Sequence, residues 1–165
     1  MSLAEDLGNS EESLKKMNQA AVEFESTVNA INEKLKSIAK QEKDVADIIK
    51  VATKNNSALQ ASANAVSKLR KEALTDTKKQ QKLQEAQTKF SNLQAKSEAI
   101  QAVLKDRMKN ASGEELENIL QTQELTSDIL RSSQETADNF QEIADATEQV
   151  NKAAKGFDKM AMVLD

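Results

Sequence analysis

From Leu14 onward, apolar residues recur at alternating steps of three and four: Leu14, Met17, Ala21, Phe24, Val28, Ile31, Leu35, Ile38, then Glu42, then Val45, Ile49 and Ala52. Glu42 is the single polar member. Stepping backwards, the same register reaches Ser10, Leu7 and Leu3. This spacing lays one apolar stripe along an α-helix, so it predicts a long amphipathic helix with a coiled-coil seam. No proline occurs at any position to interrupt it.

The stripe lapses at two polar clusters that also carry helix-start signatures. At Lys54, Asn55, Asn56 and Ser57, the pair Ser57 and Gln60 has the spacing of a capping box, in which side chains satisfy the first free amides of a new helix. At Asn110, Ala111, Ser112 and Gly113 the pair is Ser112 and Glu115. Glu114, Glu115 and Glu117 there favour a helix start, and Lys105, Arg107 and Lys109 suit the helix end just before it. Cutting at both clusters predicts helices over about 4–53, 57–109 and 113–163, each roughly 75 Å long at the usual rise. The expected fold is all-α: an elongated antiparallel three-helix bundle or coiled coil, forming a single domain over 1–165. A competing cut lies at Leu74–Thr77, where Thr77 and Gln80 make a further box, and it would give four helices with a turn near Thr75–Thr77. Leu69, Ala73, Leu83 and Phe90 keep their phase across it, which favours a polar layer or kink within the second helix.

Composition agrees with long helices, at 38% hydrophobic and 30% charged residues. The four Phe are the only aromatic residues. All four fall on seams, and folding the chain back near residues 55 and 111 brings Phe24, Phe90 and Phe140 towards one aromatic layer. Charge is uneven. Residues 1–67 carry 8 basic and 10 acidic groups, 68–109 carry 11 and 5, and 110–165 carry 4 and 12. A basic middle segment beside an acidic last one favours antiparallel pairing. In the last segment the seam reads Ile129, Ser133, Thr136, Phe140, Ile143, Thr147 and Val150. Small and hydroxylated positions bury little area, so this helix is expected to be the most exchangeable part and to supply a partner-binding seam.

Catalytic vocabulary is sparse. The chain contains no His, which removes the usual general base near neutral pH and the commonest metal ligand, and no Cys, which removes thiolate chemistry. Gly8, Gly113 and Gly156 are too scattered to build a phosphate-cradling loop. Acidic pairs such as Glu114 and Glu115 sit where helix starts want them. The expectation is a protein that is not an enzyme, with no cofactor, no metal and no small-molecule substrate. Lys68, Arg70, Lys71, Lys78, Lys79 and Lys82 are candidate contacts for an anionic surface, or else a solvated face opposite the acidic helix. Nucleic acid is disfavoured, because no stacking aromatics accompany these charges and the chain is acidic overall, at −4.

The segment Ala146–Ala154 resembles the heptad-rich helices of bacterial chemoreceptor cytoplasmic domains. Ile119–Met160, rich in Gln and Glu, resembles the helical motif of SNARE fusion proteins. Its central Gln would be Gln149, one residue off the seam marked by Val150. Both resemblances imply helix-to-helix assembly, and neither carries a functional residue over. The leading expectation is a structural or protein–protein interaction bundle that packs against partner helices or copies of itself. The alternatives are a membrane-trafficking or membrane-remodelling protein, SNARE-like or a curved lipid-binding dimer, and an exported bacterial coiled-coil effector or filament subunit. No apolar run approaches the roughly 20 residues that cross a bilayer. A cytoplasmic location is expected, or export without a cleavable signal peptide.

Overall fold

The computed structural model describes the backbone of residues 3–73 and 77–164, and the side-chain surroundings of residues 12–72 and 78–142. The fold is all-α. Four helices, α1 (Leu3–Gln41), α2 (Ala46–Ala73), α3 (Thr77–Met108) and α4 (Glu114–Leu164), follow one another, with a 3-10 turn at Lys43–Val45 between the first two. Each helix lies beside the next, and α4 closes the ring against α1, which makes an up-down-up-down four-helix bundle.

The stripe from Met17 to Ala52 is buried at every apolar position named above. Burying each of its large members contributes about 1.5–3 kcal/mol relative to exposure. The stripe does not lie on one helix, however. Glu42 adopts an extended conformation, φ −127 and ψ 103, after its amide has donated to the Ile38 carbonyl at 2.9 Å. Its one polar position therefore marks a tight hairpin. Ile38 and Val45, seven residues apart, both turn inward because the hairpin folds their two faces onto each other.

The expected helix over 4–53 and the expected break at Lys54–Ser57 are corrected accordingly. Residues 54–57 lie in the middle of α2. Asn55 and Asn56 are buried there and Ser57 is not a cap, because neighbouring helices satisfy this polar cluster in place of a chain end. The expected helix over 57–109 is likewise two helices, α2 ending at Ala73 and α3 beginning at Thr77, so the described residues form the four-helix alternative.

The break before α4 falls where the sequence placed it, with a different cap. Lys109, Asn110 and Ala111 amides donate three residues back, to Asp106, Arg107 and Met108, tightening the end of α3. Gly113 then takes φ 65, and its carbonyl accepts from the Glu117 amide at 3.2 Å. Ser112 makes no side-chain bond to the helix start, so the box with Glu115 is not formed. A side chain at positive φ is strained even in open space, and nothing lies within 4 Å of a Cβ built at Gly113. Gly113→Ala is therefore expected to cost about 1–2 kcal/mol through the backbone alone, read as a lower urea midpoint with an unchanged m-value.

Side-chain hydrogen bonds set the register. Asn18 meets Ser67 and Asn32 meets Asn56 across α1–α2; Asn55 and Ser62 meet the Leu93 and Ala86 carbonyls across α2–α3; Gln94 meets Ser133 across α3–α4. Phe24 and Phe90 meet across the diagonal, ring centroids 6.3 Å apart and edge to face.

Candidate functional site

The sequence-predicted contact residues fall in two regions: the inner face of α4, and the end of α2 with the start of α3. On α4, Ile129, Ser133, Thr136 and Phe140 all point inward and are buried. Ile143, Thr147 and Val150 lie outside the described side chains. The described part of the seam, from Ile129 to Phe140, thus packs into the bundle's own core.

Its hydroxyls have a shared habit. Thr122 donates to the Asn118 carbonyl, Thr126 to Thr122, Ser133 to Leu130 and Thr136 to Ser132, at 2.7–2.9 Å. Each bond stays within α4 and spans three or four residues, the pattern by which Ser and Thr satisfy themselves on a helix. Across to α3, Gln94 Nε2 donates to Ser133 Oγ at 3.2 Å. Of the four side-by-side interfaces the α3–α4 one is the sparsest. An open groove of about 290 Å³ lies along it, lined by Val66, Phe90, Ala137 and Phe140 with Gln87 and Gln141 at its margin.

The contrast is with α1 and α2, which exchange amide hydrogen bonds in the core. Asn56 Nδ2 donates to Asn32 Oδ1 at 3.0 Å, and Asn32 Nδ2 donates to the Thr53 carbonyl at 3.4 Å and the Ser57 hydroxyl at 3.3 Å. Sequence reasoning missed this ladder, taking Lys54–Ser57 for a break between helices. Its available signal was a polar cluster without Gly or Pro.

At the α1–α2 turn the helices are clasped. The Arg107 guanidinium near the end of α3 makes a two-bond pair with the Asp47 carboxylate, at 2.8 and 3.0 Å, and also donates to the Asp44 carbonyl. Asn118 at the start of α4 donates to Glu42 at 3.4 Å. Arg107 holds the Asp47 carboxyl below its ordinary value of 3.8, mainly by direct hydrogen bonding. A carboxyl lowered by folding stabilises the protein above its unfolded value and loses that contribution as pH falls through the folded one. The pair is largely exposed, so Asp47→Asn is expected to cost under about 1 kcal/mol at neutral pH. That difference should shrink as pH drops below 3.8, measured by urea denaturation across a pH series.

The six cations do not line one face of a long helix. Lys68, Arg70 and Lys71 end α2, and Lys78, Lys79 and Lys82 begin α3, so all six flank the junction between these helices. Lys79 pairs with Glu72 at 3.2 Å, within the hairpin. The first turn of α3 contains no acidic residue.

Among the described residues no three potential metal ligands come together, and no helix is long and apolar enough to cross a membrane. Compared with known proteins, the chain matches no family model, no curated protein and no solved structure.

Proposed function

We propose that this chain is a non-enzymatic interaction bundle that works by helix exchange: α4 swings off α3 and a partner helix, or α4 of a second copy, takes its place. The observation that supports this reading is the self-satisfied face of α4. Pulling a helix out of a core normally strands buried polar groups at about 1–3 kcal/mol each. Thr122, Thr126, Ser133 and Thr136 keep their hydrogen bonds when α4 leaves, because those bonds run to α4's own carbonyls. What is given up is the apolar burial of Ile119, Leu125, Ile129 and Phe140. The α1–α2 pair has the opposite character, since its separation breaks the Asn32–Asn56 ladder.

Native-state hydrogen exchange tests this directly. Amides of α4 around residues 119–142 are expected to exchange through a sub-global opening, while those of α1 around 24–38 exchange only by global unfolding. Equal protection in the two helices counts against helix exchange. A cysteine pair at Gln94 and Ser133, oxidised to tie α3 to α4, is expected to abolish subunit mixing between mass-labelled copies and to restore it on reduction.

A further inference from the structure

We infer that the reversal at Glu42 is a hinge: it opens to join α1 and α2 into one continuous helix, and a second copy of this chain then takes α1 into its own bundle, independently of α4 exchange. Stepping alternately by four and three from Met17 to Val66, every position is buried except the half-buried Glu42. One heptad phase therefore runs through both helices and through the reversal between them. A hairpin places no such demand, since each of its helices can meet the core in its own phase, whereas a straight helix requires it. Glu42 is the one residue of Leu3–Ala73 outside a helical turn, and no side-chain bond caps the turn that follows it. Residues 39–47 contain neither Gly nor Pro, so nothing in them forbids a helix. The α3–α4 reversal differs, because Gly113 at φ 65 holds a conformation that ends a helix.

The partner follows from what α1 recognises. Asn18 accepts from Ser67 at 3.1 Å and Asn32 accepts from Asn56 at 3.0 Å, both across α1–α2. A second copy presents the same Ser67 and Asn56 in the same register, so each bond re-forms between chains and a two-fold axis near the hinge closes the pair. The closed hinge is held by Arg107, which donates to the Asp44 carbonyl, and by Asn118, which donates to Glu42. Withdrawing α1 breaks the Asn32–Asn56 ladder, so monomer and swapped dimer interchange through unfolding, and chain concentration during refolding decides between them.

The test is to refold the full chain from urea at about 1 μM and at about 1 mM and to separate the products by size with light scattering. Monomer is expected at the lower concentration and a dimer fraction at the higher. Dyes placed through Lys15→Cys/Lys68→Cys, at exposed positions of a chain without other cysteines, report the hinge when a trace of labelled chain is refolded among excess unlabelled chain. In the closed hairpin the dyes sit on helices about 10 Å apart. In the opened helix they stand about 80 Å apart. Energy transfer is therefore expected in the monomer fraction and lost in the dimer fraction, whereas a dimer made by α4 exchange keeps it. Glu42→Leu, which completes the apolar seam of the opened helix, should raise the dimer-to-monomer ratio at least tenfold. Lys43→Pro should lower it at least tenfold: the extended Glu42 and the start of the 3-10 turn accommodate proline, and the interior of a continuous helix does not. Circular dichroism and the monomer's mass report that this variant still folds. A parent that refolds only as monomer at about 1 mM, a dimer that keeps energy transfer, or a folded Lys43→Pro protein that dimerises like the parent overturns the inference.

Discussion

Truncating Phe90 to alanine is expected to lower the unfolding free energy by about 3–5 kcal/mol, the range for a buried Phe. Phe90 is 4% exposed and sets its ring edge to face against Phe24, at 6.3 Å between centroids and 69° between planes. These rings belong to α3 and α1, which do not lie side by side but face each other across the bundle axis. Their contact therefore joins the two hairpins at the centre, and an aromatic pair adds about 0.5–1.5 kcal/mol beyond its area. The groove along α3–α4 already opens beside Phe90, so water can enter the space left behind, which places the expected cost towards the lower end. Urea denaturation of F90A and F24A should give similar losses, and the double variant should lose less than their sum because the ring contact is shared. A loss below about 1 kcal/mol for F90A removes the aromatic layer as a determinant of stability.

Replacing Asn56 by aspartate is expected to cost about 3–5 kcal/mol at neutral pH, the penalty for an uncompensated buried charge. The side chain is 1% exposed and donates to Asn32 Oδ1. A carboxylate has no proton to offer, so it would set one acceptor against another. Asn32 cannot easily answer by rotating its amide, since its Nδ2 is committed to the Thr53 carbonyl and the Ser57 hydroxyl. Burial disfavours the charged form and raises the carboxyl pKa above its unfolded value. Protons then bind the folded state more tightly, so the deficit shrinks as pH falls through the raised folded value. Comparing N56D with the parent by denaturation across a pH series checks both the size and the sign. An N56D protein as stable as the parent at neutral pH would mean that the ladder is wet and contributes nothing to register.

The apolar stripe was fully legible as a burial pattern and misleading as a topology. Hydrophobic spacing reports which residues face a core; it does not report whether the chain has reversed direction between them. The seven-residue step from Ile38 to Val45 preserves the three-four phase through a hairpin as well as a helix would, and only Glu42 betrayed the turn. Conversely, Asn55 and Asn56 looked like a chain break because their composition is that of a loop, while their actual partners are 24 to 38 residues away. The aromatic layer shows how a right contact can follow from a wrong path. One reversal near residue 55 and two reversals, at the α1–α2 and α2–α3 turns, both carry Phe24 to the level of residue 86, one turn from Phe90. The first makes the two helices antiparallel, whereas in the structure they run parallel across the diagonal. Gly113 was legible as a break for a different reason: positive φ has a residue signature that no neighbour supplies.

The hydroxyl face of α4 was visible as a list of residues, Ser133 and Thr136 among them, but its energetic meaning was not. Whether a buried hydroxyl binds its own helix or a neighbour depends on rotamer and on the distance to the next backbone. Likewise the cations from Lys68 to Lys82 could be counted in advance. Their gathering at one junction depends on where α2 stops.

The clasp at the α1–α2 turn gives the bundle a fixed end. Arg107 and Asn118 tie the end of α3 and the start of α4 to that turn. At about 1.5 Å per residue, Phe140 lies roughly 33 Å along α4 from Asn118. Pivoting α4 by only about 10° at the clasp carries Phe140 sideways by about 6 Å, over half of a normal spacing between packed helices. The long helix is in effect a lever, and a displacement too slight to disturb its fulcrum is enough to unseat an aromatic side chain at the far end.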